Sequence, residues 1–468
     1  MKYLPLVLSL VIVLGYGCQK KATENPNILF LFVDDLGYHD LSGHGSAIFQ
    51  TPNVDKLATE SVVFSNAYSN YPRCVPSRYA LLTGTYPVVR GEVPDDGFQL
   101  TEVQEDRNFI RILKKAGYRT AFFGKWHLGD GETSPSAFGY DLSVAAGKAG
   151  SPISYFYPFN TPKGANKKVN KAPIEGLDEK CSEGDYLTDV LTNEVMDFIK
   201  DTPRDQPFLA MLSFYAVHQP LEAKQEGIDE NRKEIAAHDF GDLPEYVQEG
   251  TGRTKMRQDN AAYAAMVENM DWNVGRLLSL LNDLEIADNT LILFSSDHGG
   301  LSNDGTKRRN LATSNYPLRA GKGWMYEGGT RVPLYLKYGK AFSARQDTQS
   351  IVMLMDVFPT LTDLVTQQPV MGVDGKSFLP ILKNEETWDG RTVFWHATSA
   401  RPANTGESKS SAIRSGDWKL IHFYEKGEVE LYQLKQDPSE TNNLVGEYPE
   451  IAQDLLARLN SWKGASSP

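Results

Sequence analysis

Asn27–Val33 reads NILFLFV, an uninterrupted apolar run set between Pro26 and Asp34. A strand that is apolar at every position is buried on both faces, as in the middle of a helix-covered sheet. Similar runs recur at Ala121–Phe123, Phe208–Phe214, Thr290–Ser295 and Val332–Leu336. Stretches of helical period lie between them. From Asn260 to Leu284, the residues Met266, Met270, Val274, Leu277, Leu278, Leu281 and Leu284 recur every three or four positions and predict one long helix with a single buried stripe. Shorter helices are predicted from Phe109 to Ala116, stopped by Gly117, and from Pro359 through Leu364. The alternation predicts an α/β body, a large mixed sheet covered by helices on both faces.

The pattern then changes twice. Gly147 to Lys180 is rich in Gly, Pro, Asn and Lys without a steady period, which predicts a long surface excursion. From Arg391 onward, short strands are expected at Val393–His396, Ser411–Arg414, Trp418–Phe423 and Glu428–Leu434, with a turn at Lys426-Gly427 and a last helix from Tyr448 to Leu459. These predict a smaller C-terminal α+β domain with a short antiparallel sheet. No intervening linker is long or polar enough to let it swing freely. The expected division is 27–385 for the larger domain and 386–468 for the smaller.

At the N-terminus, Lys2 precedes an apolar run from Leu4 to Leu14, which ends in small residues and Cys18. Too short to span a bilayer, the run predicts a secretory leader over residues 1–17. Gly15 to Cys18 resembles a bacterial lipobox, with Gly15 where Leu is usual and Leu14 one place early. The expectation is an exported protein, lipidated at Cys18 and tethered through 18–26, in the periplasm or at the outer membrane. Only that lipid anchor would touch a membrane.

Composition narrows the function. With 468 residues, 41% of them apolar, the chain is an ordinary globular protein. Three cysteines exclude a disulfide framework. The net charge of −12 lacks the positive footprint of a nucleic-acid scaffold, so no nucleic acid partner is expected. A small anionic ligand stays compatible with that total, because a few local cations outweigh the mean inside one cleft.

The candidate chemistry lies at strand ends, where open α/β sheets place their ligands. Asp34 and Asp35 follow the first strand directly, and Asp297-His298-Gly299-Gly300 follows a later one. Adjacent carboxylates repel, and a hard cation offsets that repulsion. Taken singly, either pair also fits an ordinary turn. Cys74-Val75-Pro76-Ser77-Arg78 precedes two predicted helical turns closed by Gly84, so Cys74 stands at a helix N-terminus, where unpaired N–H groups favour an anion. Arg78, one turn on, offers a fork of donors. Lys125 and His127 follow a short strand, His218 follows another, and Lys322 sits in Gly321-Lys322-Gly323. Gathering these cations in an acidic chain points to a small, highly charged anionic substrate.

At these residues the sequence resembles the type I sulfatases, of the alkaline phosphatase-like fold. Cys74 to Arg78 with Leu82-Thr83-Gly84 matches the family signature. Asn27 to Asp35, Gly124 to Gly129, Asp297 to Gly299, Gly321 to Gly323 and Glu327 to Pro333 match further blocks in order. Arg414 to Leu420, Glu430-Leu431-Tyr432 and Asp437-Pro438 extend the match into the tail. The resemblance implies that a dedicated maturing enzyme oxidises Cys74 to formylglycine, whose hydrate is the nucleophile. It also implies that Asp34, Asp35, Asp297 and His298, with that hydrate, hold one Ca²⁺. Asn is commoner where this chain has His298, which adds a nitrogen donor to an oxygen shell. Lys125, Lys322 and the helix start would surround the sulfuryl group. His218, assisted by Lys322, would protonate the departing oxygen, and His127 would take the proton of the second hydroxyl to expel sulfate.

The expected substrate is a sulfated sugar or glycan, attacked from its end. Tyr155, Phe156, Tyr157 and Phe159 lie among Lys163, Lys167, Lys168 and Lys171 and are either a sugar-stacking platform or a hydrophobic plug. Lys307, Arg308, Arg309 and Asn310 fall between two blocks and are expected to border the pocket mouth, with Arg308 and Arg309 as substrate-binding candidates. His39 and His44 are expected to be structural, and Arg331 to support the site through buried pairing. The alternatives are a phosphate or phosphonate monoester hydrolase on the same scaffold and a non-catalytic glycan-binding lipoprotein.

Overall fold

Every residue of the first apolar run is buried, and the run forms strand β1 (Asn27–Val33) in the middle of an eight-stranded sheet. The computed structural model describes residues 25–87, 100, 103, 105–161, 171–339 and 341–466. The expected leader, Cys18, Lys163, Lys167 and Lys168 lie outside them. Among the described residues, no helix is long and apolar enough to cross a membrane.

In chain order the next strands are β2 (Val62–Tyr68), β3 (Arg119–Gly124), β4 (Leu142–Val144), β5 (Phe208–Ser213), β6 (Tyr246–Glu249), β7 (Gly252–Lys255), β8 (Thr290–Ser296), β9 (Asn303–Asp304), β10 (Leu334–Tyr338) and β11 (Arg345–Met353). The large sheet has the order β11-β2-β10-β8-β1-β5-β3-β4, and β6, β7 and β9 form a small separate sheet. In the large sheet β10 alone runs against the rest.

Side chains alternate across β1, and both sets are buried, which accounts for its unbroken apolar sequence. Leu29, Leu31 and Val33 pack with Met266, Met270 and Val274 of the helix Ala261–Asp283. Ile28, Phe30 and Phe32 pack on the other side with Tyr79 and Leu82 of the helix Cys74–Thr83 and with Phe358 and Leu361 of the helix Val357–Thr366. The predicted stripe of the long helix is buried except at Leu278 and Leu284, which are partly exposed.

The smaller unit is the antiparallel sheet β12 (Thr392–Ala397), β13 (Ser410–Ser415), β14 (Trp418–Phe423) and β15 (Glu428–Gln433), covered by the helix Pro449–Ser466. One face packs on that helix through Ile413, Leu420, Leu431, Leu455 and Leu459. The other puts Trp395, Ala412, Ile421 and Tyr432 into the core of the larger body. Lys419 of β14 reaches the buried Glu327 of the larger body, Nζ to Oε1 at 2.9 Å. The two units therefore share apolar and ionic contacts.

The excursion differs from its expectation. Tyr155, Phe159, Ile174 and Leu177 are buried in the core beside β1 and β5. Tyr155 and Phe159 thus plug the fold, while Phe156 and Tyr157 are half-buried and pack against that core.

Candidate active site

The topology brings distant blocks to one edge. β8, β1, β5 and β3 are parallel neighbours, so the residues that follow them emerge together: Asp297-His298, Asp34-Asp35, His218 and Lys125 with His127. β2 runs the same way, and Cys74 follows it at the start of its helix. The reversed β10 contributes its beginning, and Lys322 lies in the loop before it. One antiparallel strand is what lets a block before a strand meet blocks after strands.

Cys74 is buried at the centre. Its Sγ lies 3.2 Å from His298 Nε2, 3.5 Å from Lys322 Nζ and 4.0 Å from Asp35 Oδ1. Lys322 donates to both oxygens of Asp35, at 2.6 and 2.9 Å, and Lys125 donates to Asp34 Oδ2 at 2.5 Å. His218 Nε2 stands 3.6 Å from Asp35 Oδ2. His127 faces Cys74, and its Nδ1 is buried with no hydrogen-bond partner among the described residues. Gly150 makes room for that ring, since a Cβ there would sit 2.4 Å from Nε2.

Charge explains the proton affinities. Burial opposes ionisation of the Cys74 thiol, yet Lys125, Lys322 and His298 outweigh it and leave the thiol well below its ordinary value. Burial raises Asp34 well above the usual carboxylate range against the pull of Lys125, and Asp297 adds to the rise. Against burial, Lys322, His218 and His298 hold Asp35 below that range. Asp297 and Cys74 raise His298 despite its burial. Burial lowers His127.

Asp34, Asp35, Cys74 and His298 offer ligand atoms that all lie within 4.8 Å of one another. Burial, with Asp297, Cys74 and Asp35 nearby, disfavours charge on Asp34, a cost that a divalent cation relieves, and two carboxylates with an imidazole can bind one. The donor set fits such an ion, with Sγ standing where the oxygens of a hydrated aldehyde would be. Asp297 stands at the edge of this group, its Oδ1 3.5 Å from His298 Nε2. That Oδ1 also accepts from the Asp35 N–H, and its Oδ2 accepts from Arg78.

Arg78 does not face the cleft. Its guanidinium turns inward onto Asp297, the Lys125 carbonyl and Ser213, which makes it a clamp for the site rather than a donor to a bound anion. Arg331 is also inward, donating from Nε to Ser65 O at 2.7 Å and lying over Tyr38. His44 is held between Tyr38 O and Tyr335 Oη and stacks on the Tyr38 ring. The Tyr155 hydroxyl faces the carbonyls of Tyr215 and His218, at 2.6 and 2.8 Å, and so fixes the loop that carries His218.

Above Cys74 opens a cavity of about 290 Å³ that His127, His218, Lys322, Arg73 and Arg401 help to line. A second, of about 390 Å³, adjoins it and holds Lys307, Arg308 and Arg309. Arg73 and Arg401 escape a reading of the sequence. Arg73 is paired with the buried Glu407, which follows β12 in the smaller unit, so both units build the cleft. The only local signal was the adjacency of Arg73 to Cys74.

The sulfatase family profile matches residues 26–367, and a profile of N-sulphoglucosamine sulphohydrolase C-terminal regions matches 320–464. A sulfatase of Formosa agariphila is 31% identical over 527 aligned positions, covering 95% of this chain and 90% of its own. N-acetylgalactosamine-6-sulfatase of Homo sapiens is 29% identical over 419 positions, covering 83% of this chain and 72% of its own. The crystal structure of Ps i-CgsB in complex with k-i-k-neocarrahexaose superposes with a TM-score of 0.73 at 28% identity, covering 94% of this chain and 93% of that one.

Proposed function

Because this chain belongs to the sulfatase family, we propose that it cleaves sulfate monoesters at the end of a sulfated glycan, using formylglycine made from Cys74 and one Ca²⁺. As a formylglycine-type sulfatase of alkaline phosphatase-like fold it is a sulfuric ester hydrolase. The observation that carries the reading is the seat of Cys74, a helix N-terminus with Sγ 3.2 Å from His298 Nε2 and 3.5 Å from Lys322 Nζ, above Asp35. Two of the relatives are named for, or hold, a sugar: N-acetylgalactosamine 6-sulfate in one name and a neocarrahexaose in one structure.

Hydrated formylglycine supplies an attacking oxygen and a second hydroxyl. Asp34, Asp35, Asp297 and His298 would hold the cation, which supplies positive charge against the incoming sulfate. Lys125 and Lys322 add fixed positive charge around the sulfuryl group, where charge-assisted hydrogen bonds contribute about 1.5–3 kcal/mol each. His127, kept neutral by burial, is suited to take a proton from residue 74. Lys322, whose ammonium Asp35 stabilises against burial, keeps a proton beside His218 on the leaving-group side. Arg78 positions Asp297 and the Lys125 backbone. Export behind a cleaved leader, with a lipid on Cys18, would place this chemistry where polymeric sugars are met.

The test begins with coexpression with a maturing enzyme and mass analysis of the peptide containing Cys74. Sulfate release is then measured across sulfated monosaccharides, with the phosphate ester of one alcohol in parallel. Formylglycine at 74 and sulfate from at least one sugar are expected, with the phosphate ester much slower. A fully modified protein that frees no sulfate, or that prefers phosphate, refutes the proposal.

A further inference from the structure

The second cavity has an unusual wall. Among the described residues, six cations line it, Arg73, Lys307, Arg308, Arg309, Lys322 and Arg401, and no carboxylate does. Around Cys74 the positive groups are balanced by neighbours, Lys125 by Asp34, Lys322 by Asp35 and Arg78 by Asp297. In the second cavity, Arg73 pairs with Glu407 and Arg308 with Asp304, each from behind the wall. Among the described residues, Arg309 donates to the neutral Gln219 at 3.4 Å, and neither it nor Lys307 is in an ion pair.

The wall is rigidly built, although it comes from three distant parts of the chain. The Lys307 N–H donates to Ala403 O at 2.8 Å and the Gly305 N–H to Asn404 O at 3.3 Å, which ties the 304–309 loop to the 401–405 loop. Thr405 O in turn accepts from Asn303 Nδ2 at 2.6 Å and from Trp324 Nε1 at 2.9 Å. Glu407 joins Arg73 to the Arg401 N–H. Holding like charges together in a concave site raises the free energy of the empty protein, and a bound anion releases it. Burial and the nearby Arg401 lower the proton affinity of Arg309 in keeping with that crowding, although Asp35 opposes it.

We propose that this cavity is a seat for a second anionic group, a sulfate or a carboxylate, carried by the same substrate as the ester that faces Cys74. The proposal rests on the sulfatase reading for the role of the first seat. Both cavities share Arg73, His218, Lys322 and Arg401, so a single sugar unit reaches from one to the other. Singly charged esters lack the group that discharges the second wall. The preferred substrate class is therefore a sugar with two anionic substituents, either disulfated or a sulfated uronate.

The full chain carrying Cys74→Ala, which lacks the nucleophile, is titrated by calorimetry with two matched pairs. Galactose 6-sulfate against galactose 2,6-disulfate reads a second sulfate. Glucose 2-sulfate against glucuronic acid 2-sulfate reads a carboxylate. In at least one pair the second anion should tighten binding tenfold or more, by a factor that shrinks as salt rises. Adding Lys307→Gln and Arg401→Gln should cut the gain below threefold. Lys307→Gln alone, at a side chain with no ion pair, should cut it partially if the double substitution disturbs the Glu407 loop. Equal affinities within both pairs, or a gain that survives these substitutions, overturns the proposal. Turnover plays no part, so a formylglycine-bearing protein that hydrolyses nothing would refute the sulfatase reading and leave this result interpretable.

Discussion

Arg78 grips Asp297 Oδ2 from two nitrogens, Nε at 3.1 Å and Nη2 at 2.9 Å. Its Nη1 reaches the Lys125 carbonyl at 2.8 Å and Ser213 Oγ at 2.7 Å. One buried side chain thus ties the ends of β8, β3 and β5 together. Lysine presents its donors from a single nitrogen and cannot serve these acceptors at once. Breaking a buried pair costs about 3–5 kcal/mol, and misplacing reacting groups by 1 Å costs about a hundredfold in rate. Arg78→Lys should lower both the unfolding midpoint and kcat, to be read by thermal unfolding and sulfate release. A normal kcat would show that the clamp does not position the site.

Cys74→Ser separates chemistry from architecture. Serine fills the same buried position, but its sulfate ester has no second hydroxyl on the same carbon, so water would have to attack sulfur. The variant should fold and bind a divalent cation like the parent, while releasing less than one sulfate per chain in the time the modified parent turns over many times. Stoichiometric burst measurements check this.

How much of this was legible in the sequence follows from where charge and burial coincide. β1 and β8 are evident because both faces are buried, so Ile28–Val33 and Leu291–Phe294 are unbroken apolar runs. The first half of β11 reads as polar, because it lies at the sheet edge with Gln346, Thr348 and Gln349 exposed. Asp34, Asp297 and Lys125 stand out because each follows such a run directly. Arg401 and Glu407 have no comparable marker. Arg401 reaches the cleft, with Glu407 behind it, only because the smaller unit packs its β12–β13 connection against Arg73 and the 304–309 loop, a contact that leaves no period in the chain. The aromatic cluster at Tyr155 allowed two readings, since rings exposed for stacking and rings buried as a plug have the same composition.

Cation binding should be measurable without substrate. Ligand at a hundred times its Kd stabilises a folded protein by about 2.7 kcal/mol. Ca²⁺ should therefore raise the unfolding midpoint and chelator should reverse it, whereas Asp35→Asn should abolish the shift. Burial raises the proton affinity of Asp34 against the pull of Lys125, so protons compete with a cation there. Affinity should accordingly weaken as pH falls, which cation titrations at two pH values check. A midpoint indifferent to divalent cations would remove the ion from the site.

His218 carries the last prediction. Its Nδ1 lies 2.8 Å from Gln219 O, a carbonyl that only accepts, so the neutral ring keeps its hydrogen there and turns a bare Nε2 toward Asp35 and the cleft. Burial pushes its pKa down to about 3, with Asp35 opposing and Lys322 and Lys125 assisting. The ring is therefore neutral in the free protein at pH 7, and it must gain the proton for the leaving oxygen on arrival of the anionic substrate. General acid catalysis contributes about 10²–10⁴-fold, and it matters most when the departing oxygen is basic. His218→Gln should therefore lose far more rate on a sugar sulfate than on 4-nitrophenyl sulfate, and equal losses would argue for a binding role alone. The same shift has a stability consequence of definite sign. The unfolded chain protonates this ring near its ordinary value of about 6.5, the folded chain only near about 3, so unfolding takes up a proton between them. This contribution is intact above about 6.5 and lost as pH falls toward 3. A bound cation acts in the same direction, and the acid-side slope of the unfolding midpoint should be shallower in His218→Gln.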